Sequence, residues 1–151
     1  VSIGEGAAVL PDTSGSFDIY VARLSDSGTE RWVTTATETF EDRVRGLATN
    51  GDDLVLVGDH GGLGLGASCP RVRGEGGLDI LVANLDAATG TCRWLRGYGG
   101  PANDNGNAVG VEGDRVYVTG AVRAGTDFGL GDGPLVTADS DSDIFLLGFA
   151  P

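Results

Sequence analysis

Asp139, Asp141 and Asp143, in the stretch DSDSDIF, have the spacing that opens a calcium-binding loop. Such a loop also needs glycine at its sixth position and a closing glutamate. Here the sixth position is Ile144 and no closing glutamate follows. Calcium is therefore the lesser expectation, and no cofactor is expected. Cys69 and Cys92 suggest two outcomes, a disulfide or a pair of buried free thiols. Cys69 precedes a predicted strand and Cys92 begins the next, so an antiparallel return brings them within bonding reach. The disulfide is favoured and implies an oxidising compartment. Two cysteines and one histidine fall short of the four ligands of a structural zinc site.

His60 is the only histidine, and no serine or cysteine nucleophile is placed beside it by spacing. Its counterpart in the next repeat is Val122, which suits a tolerant loop edge better than a catalytic base. GLGLGAS (62–68) and GLGDGPL (129–135) have the glycine content of phosphate-cradling loops, but neither opens a helix or continues into Lys-Ser/Thr. They are expected to be connecting loops. Among 22 acidic residues no spacing singles out a pair for glycoside hydrolysis. No residue is assigned a catalytic role.

The elements that must position these residues announce themselves by repetition. DIYVARL (18–24) returns as DILVANL (79–85) and DIFLLGF (143–149). Thr29-Glu30-Arg31-Trp32 matches Thr91-Cys92-Arg93-Trp94 at an offset of 62, and Asp42 falls on Asp104 in the same register. Pro70 and Pro134 pair at 64, through a longer glycine-rich loop. The chain thus holds about two and a half copies of a 61–64-residue unit.

Each unit reads as strands. In the second copy, apolar runs over 79–85, 92–98, 106–111 and 115–121 are separated by turn residues, and no 3.6-residue stripe persists. In DILVANL, Ile80 and Val82 point one way and Leu81, Ala83 and Leu85 the other, so both faces are apolar. A sheet apolar on both sides needs a neighbour on each, and four strands per repeat favour a β-propeller. The predicted class is all-β, with blades of four antiparallel strands. The outer half of one blade spans 18–37, a complete blade 43–97, and three strands of a third 106–149. Asp18, Asp79 and Asp143 precede the repeated strand, and Asp42 and Asp104 sit in the turn before the innermost one. All five are expected to cap turns by accepting main-chain N–H bonds. Trp32 and Trp94 are expected to wedge between neighbouring blades rather than stack on a sugar.

The Asp-Ile strand (Asp79 to Leu85), the Trp-bearing strand (Cys92 to Tyr98), the strand from Asp104 to Val111 and the VYVTG strand (Val116 to Gly120) together resemble the SBBP-type β-propeller repeats of bacterial secreted proteins. The first copy departs from the pattern, with Val44 and Arg45 where the second has Gly106 and Asn107. The resemblance implies a fold and an extracellular setting but no single activity. Strand order from the axis outward is assigned by analogy with other propellers: Ala108–Val111, Val116–Gly120, the Asp-Ile strand, then the Trp strand.

Charge and composition bound the rest. Net charge is −12, and all ten basic residues are arginine, with no basic stripe, so nucleic acid is disfavoured as a partner. Glycine makes up 27 of 151 residues, well above the usual ~7%, as a turn-rich fold requires. No run approaches the ~20 apolar residues of a membrane span. Because residue 1 is valine, a processed chain or a piece of a longer one is expected, with further repeats supplied by the same chain or by associated copies. The function expected first is a secreted, non-catalytic scaffold or protein-binding module. A carbohydrate-binding propeller comes second, and an enzyme with an axial site third.

Overall fold

The computed structural model describes residues 17–36, 40–131 and 142–150. Among these residues there is no helix, and nine strands form three antiparallel sheets. The strands are β1 (Ile19–Leu24), β2 (Glu30–Ala36), β3 (Arg43–Thr49), β4 (Asp53–His60), β5 (Asp79–Asp86), β6 (Cys92–Tyr98), β7 (Asn105–Glu112), β8 (Arg115–Val122) and β9 (Asp143–Phe149). The first sheet is β1-β2, the second β3-β4-β5-β6 and the third β7-β8-β9. Each strand thus hydrogen-bonds its sequence neighbour within a sheet; β1–β2, β3–β4, β5–β6 and β7–β8 are hairpins with short turns, whereas β4–β5 and β8–β9 are joined through the longer 61–78 and 123–142 segments.

The sequence repeat is also a geometric repeat. Pairing shifts by one residue at Arg23/Leu24 in the β1–β2 ladder and at Asn84/Leu85 in the β5–β6 ladder, which are equivalent positions. The same holds for Val44/Gly46 in β3 and Gly106/Ala108 in β7. The β3–β4 and β7–β8 turns each place a glycine at positive φ, Gly51 at 106° and Gly113 at 59°, where a side chain would be strained. Gly46 serves a different need. A Cβ there would lie 3.2 Å from the Ala108 Cα, so its absence lets β3 approach the β7 backbone.

The two central strands of the four-stranded sheet, β4 and β5, are buried on both sides. Leu56, Leu81, Ala83, Leu85, Cys92 and Leu95 pack against Ile19, Val21 and Ala36 of the first sheet. Val55, Val57, Ile80 and Val82 pack against Val116, Val118, Val122 and Phe145 of the third. Neighbouring residues Ile80 and Leu81 both have zero exposure although they face opposite ways. Each such side chain contributes about 1.5–3 kcal/mol of burial. β5, with seven of its eight residues buried, is the axis of the fold.

The glycine-rich 61–78 segment is more than a connection. Leu63 and Leu65 are fully buried in the core shared with the first sheet. The Val72 N–H donates to the Leu63 carbonyl at 2.9 Å. Cys69 and Cys92 form a disulfide, Cα–Cα 5.3 Å, that ties this segment to the start of β6.

Candidate functional site

The repeated aspartates occupy the loop ends of the sheets. Asp42 and Asp104 precede β3 and β7 and are buried. Asp42 Oδ1 accepts the Gly61 N–H at 3.2 Å, and Asp104 Oδ1 accepts the Arg123 N–H at 2.8 Å, the same bond 62 residues on. Asp104 also accepts the Thr126 hydroxyl at 2.7 Å. The main-chain N–H groups of the two aspartates donate to Phe17 and Leu78, again equivalent positions. Donor and acceptor are 19 residues apart in sequence, and the antiparallel β3–β4 and β7–β8 pairing brings each carboxylate beside the far end of the neighbouring strand.

Asp79 is buried too, and both its oxygens are committed. Oδ2 accepts the Glu75 N–H at 2.6 Å and Oδ1 the Gly100 N–H at 3.2 Å. Burial pushes its carboxyl up from the usual range, against the pull of those two donors. Asp18 is half-buried and Asp143 exposed, so the three equivalent aspartates do not share one environment. Asp139 and Asp141 lie outside the described residues. Among the described residues, no cluster of three or more His, Cys, Asp or Glu side chains could hold a metal.

His60 is the last residue of β4, at the strand edge that its pairing with Val122 suggested, but it is not in a tolerant, exposed setting. It is fully buried, and neither ring nitrogen has a hydrogen-bond partner among the described residues. Burial pushes its pKa down to about 4, so the ring is neutral at pH 7. Gly97 makes the space for it, since a Cβ there would lie 2.7 Å from Nε2. Next to His60, the buried Asp59 carboxylate is held by the Arg45 guanidinium and lies 3.7 Å from Arg43. At the equivalent positions the second copy has Asn107 and Ala121, so the ion pair belongs to the first copy alone. No spacing rule marks it. The signal available was that two positions differ together between copies.

At the opposite, turn end of β4 and β5, Asp53 accepts the Asn84 side-chain amide at 2.9 Å, which lowers its carboxyl pKa, aided by Asn50 and Arg93. Arg93 also pairs with Asp86 at 2.8 Å and, with the Thr89 donors, lowers the Asp86 pKa to about 2.

The tryptophans sit between sheets. Trp32 Nε1 donates to the Ala87 carbonyl at 3.3 Å, and its ring lies against Gly90. Trp94 meets Phe149 edge-on at 5.8 Å, while Arg96 lies 4.9 Å above the Trp94 ring. Each ring therefore reaches from its own sheet to the next.

Two clefts stand out. A polar one of about 220 Å³ is lined by Arg73, Glu75, Asp79, Tyr98 and Asp127 at the loop ends of the second and third sheets. A larger and more apolar one, about 450 Å³, runs between the first two sheets along Ala22, Leu24, Trp32, Leu47 and Leu54. The polar cleft gathers the Glu75, Asp79 and Asp127 carboxylates, and the Glu75 charge adds to the rise of the Asp79 pKa, while the lining of neither cleft includes a histidine, cysteine or serine. The sequence pointed to Trp32 but not to the aliphatic trough beside it, because Leu47 and Leu54 read simply as strand residues. No family model matches the chain, and no curated protein is significantly similar to it.

Proposed function

We propose that the three sheets are blades, or parts of blades, of a β-propeller of the secreted SBBP-repeat kind, acting outside the cell as a non-catalytic scaffold or protein-binding module. The observation that carries this is the second sheet. It has four antiparallel strands in sequence order, and each of its two apolar faces is covered by a sheet built from the same repeat. A ring of such units requires every sheet to have this double burial. The disulfide between Cys69 and Cys92 favours an oxidising compartment. Asp42, Asp79 and Asp104 each give at least one oxygen to a main-chain amide, which suits fixed loop ends better than acid–base chemistry.

Trp32 supports a second possibility, a carbohydrate-binding propeller. Its ring is half-exposed in the larger cleft beside Arg23 and Thr49, a combination able to stack on a sugar and hydrogen-bond its hydroxyls. A glycan array probed with the purified protein separates the two. The scaffold function predicts no saturable glycan binding. Saturable binding abolished by Trp32→Ala would favour the lectin function instead.

A further inference from the structure

Arg31 and Arg93 hold the same place in two copies of the repeat. Each is the extra residue where its ladder shifts register, Arg31 between the partners of Arg23 and Leu24, Arg93 between those of Asn84 and Leu85. A bulge re-aims the side chain it carries, and Arg93 meets the Asp86 carboxylate at 2.8 Å. The turns match as well. The Ser25 N–H donates to the Thr29 carbonyl and the Gly28 N–H to the Ser25 carbonyl, as Asp86 does to Thr91 and Gly90 to Asp86, all at 2.8 Å. Asp86 has two tasks there: Oδ1 accepts the Ala88 and Thr89 N–H groups, and Oδ2 holds Arg93. Ser25 keeps only the first kind. Its Oγ accepts the Thr29 N–H at 3.0 Å, and a hydroxyl has no charge to offer Arg31. The exposed Arg31 guanidinium accordingly has no hydrogen bond or ion pair among the described residues. Arg23 stands where the second copy has Asn84, its guanidinium tethered to the Ala87 carbonyl at 2.8 Å. Arg23, Ser25 and Arg31 line one polar cleft of about 390 Å³, together with Leu24, Asp26 and Ala88. Asp26 pairs with neither arginine among the described residues.

We infer that this cleft binds an Asp or Glu carboxylate of a protein partner, held by Arg31 and Arg23 as Arg93 holds Asp86 in the second copy. The molecule contains its own template: the same bulge-borne arginine, beside the same turn, takes a carboxylate where the chain supplies one. Guanidinium forks match the planar, two-oxygen geometry of that group. The net charge of −12 opposes the distant approach of an acidic partner, but charges beyond about 8 Å are largely screened at physiological salt, and the arginines act at contact. A single exposed ion pair is weak, so the cleft serves as one anchor that sets where a partner must present its acid. This assignment rests on the protein-binding reading above and deepens it by naming the chemistry that one surface selects.

The probe is the capped peptide Gly-Glu-Asp-Glu-Gly, titrated into the isotope-labelled full chain while NMR follows the arginine Nε–H signals. Saturable shifts of the Arg23 and Arg31 signals are expected, and a control peptide with Gln and Asn in place of the acids should leave them unmoved. Ser25→Asp installs the second-copy residue and leaves both arginines in place, so it is expected to fill the cleft from within and weaken binding at least about tenfold. Arg31→Gln, at an exposed position, is expected to weaken it as much, and tests the same point if Ser25→Asp disturbs the turn. Asp26→Asn removes the one acid of the cleft and should strengthen binding about twofold. Peptide binding that survives both Ser25→Asp and Arg31→Gln overturns the site. So does inorganic phosphate that moves the same signals at lower concentration than the peptide, which would make the cleft a small-anion site. Unmoved signals in a chain whose β5 amides still exchange slowly overturn the carboxylate site and leave the scaffold reading standing. Loss of β5 protection in the parent chain would overturn both.

Discussion

The Asp104 carboxylate accepts the main-chain N–H of Arg123 at 2.8 Å, and 62 residues earlier Asp42 makes the same bond to Gly61. These bonds lock the entry to β3 against the exit from β4, and the entry to β7 against the exit from β8. Asp104 is fully buried and also holds the Thr126 hydroxyl. Replacing it by alanine leaves the Arg123 N–H unsatisfied, while the Thr126 hydroxyl keeps the Arg123 carbonyl at 2.7 Å, and should cost about 1–3 kcal/mol. Asp104→Asn keeps one acceptor oxygen and should cost less. Urea unfolding of the two variants checks both the size and the order.

The Arg45–Asp59 pair is specific to the first copy, which gives it a built-in control. Arg45→Asn alone leaves a buried carboxylate with only Arg43 nearby, and should destabilise the fold by about 2–3 kcal/mol, less than for a wholly buried pair because Arg45 is about one-third exposed. The double variant Arg45→Asn/Asp59→Ala installs the residues found at 107 and 121, and should recover most of that loss. Chemical denaturation of the single and double variants closes the cycle.

His60 makes stability depend on pH. Its ordinary value is 6.5, and burial lowers it to about 4 in the folded chain. Below pH 6.5 the unfolded chain takes up a proton that the folded chain refuses. Stability is therefore full above pH 6.5 and falls until about pH 4, by about 3 kcal/mol in all. The raised Asp79 carboxyl works in the opposite direction, and the lowered Asp53 and Asp86 carboxyls lose their contribution only on further acidification. His60→Leu should flatten the dependence between pH 6.5 and 4 while leaving the more acidic limb. Thermal melts across that range would show it, and an unchanged slope would count against the buried neutral ring.

The disulfide closes a segment with a sequence separation of 23 and anchors Leu63 and Leu65 beneath it. Cys69→Ala/Cys92→Ala should lower stability by about 2–4 kcal/mol. Intact mass should rise by two hydrogen atoms on reduction, and the variant's denaturation midpoint should fall accordingly.

Legibility in the sequence followed the repeat. Strands β5, β6, β7 and β8 lie within a residue of their predicted limits, because alternating apolar runs bounded by Gly, Asn and Asp leave little freedom. The double-sided character of DILVANL was visible for the same reason, since apolar residues at successive positions must point both ways. The burial of His60 was missed because comparison with Val122 spoke of tolerance and not of depth, and a strand end can be as buried as its middle. The burial of Leu63 and Leu65 was hidden by the glycines around them, which mark turns whether or not the residues between reach a core. The Arg45–Asp59 contact depends on a bulge that turns Arg45 toward β4, and a bulge is set by pairing rather than by local composition.

Ile80 and Leu81 are adjacent, fully buried and aimed at different neighbouring sheets. Equilibrium unfolding of Ile80→Asp and Leu81→Asp, each measured against the parent, is the most direct test of a sheet covered on both sides. The expected result is that each variant alone loses at least about 3 kcal/mol or fails to fold, since each buries an unpaired carboxylate in an apolar layer. If either variant stays within about 0.5 kcal/mol of the parent, as surface substitutions do, one face of β5 is open to water and the stacked-sheet account is wrong.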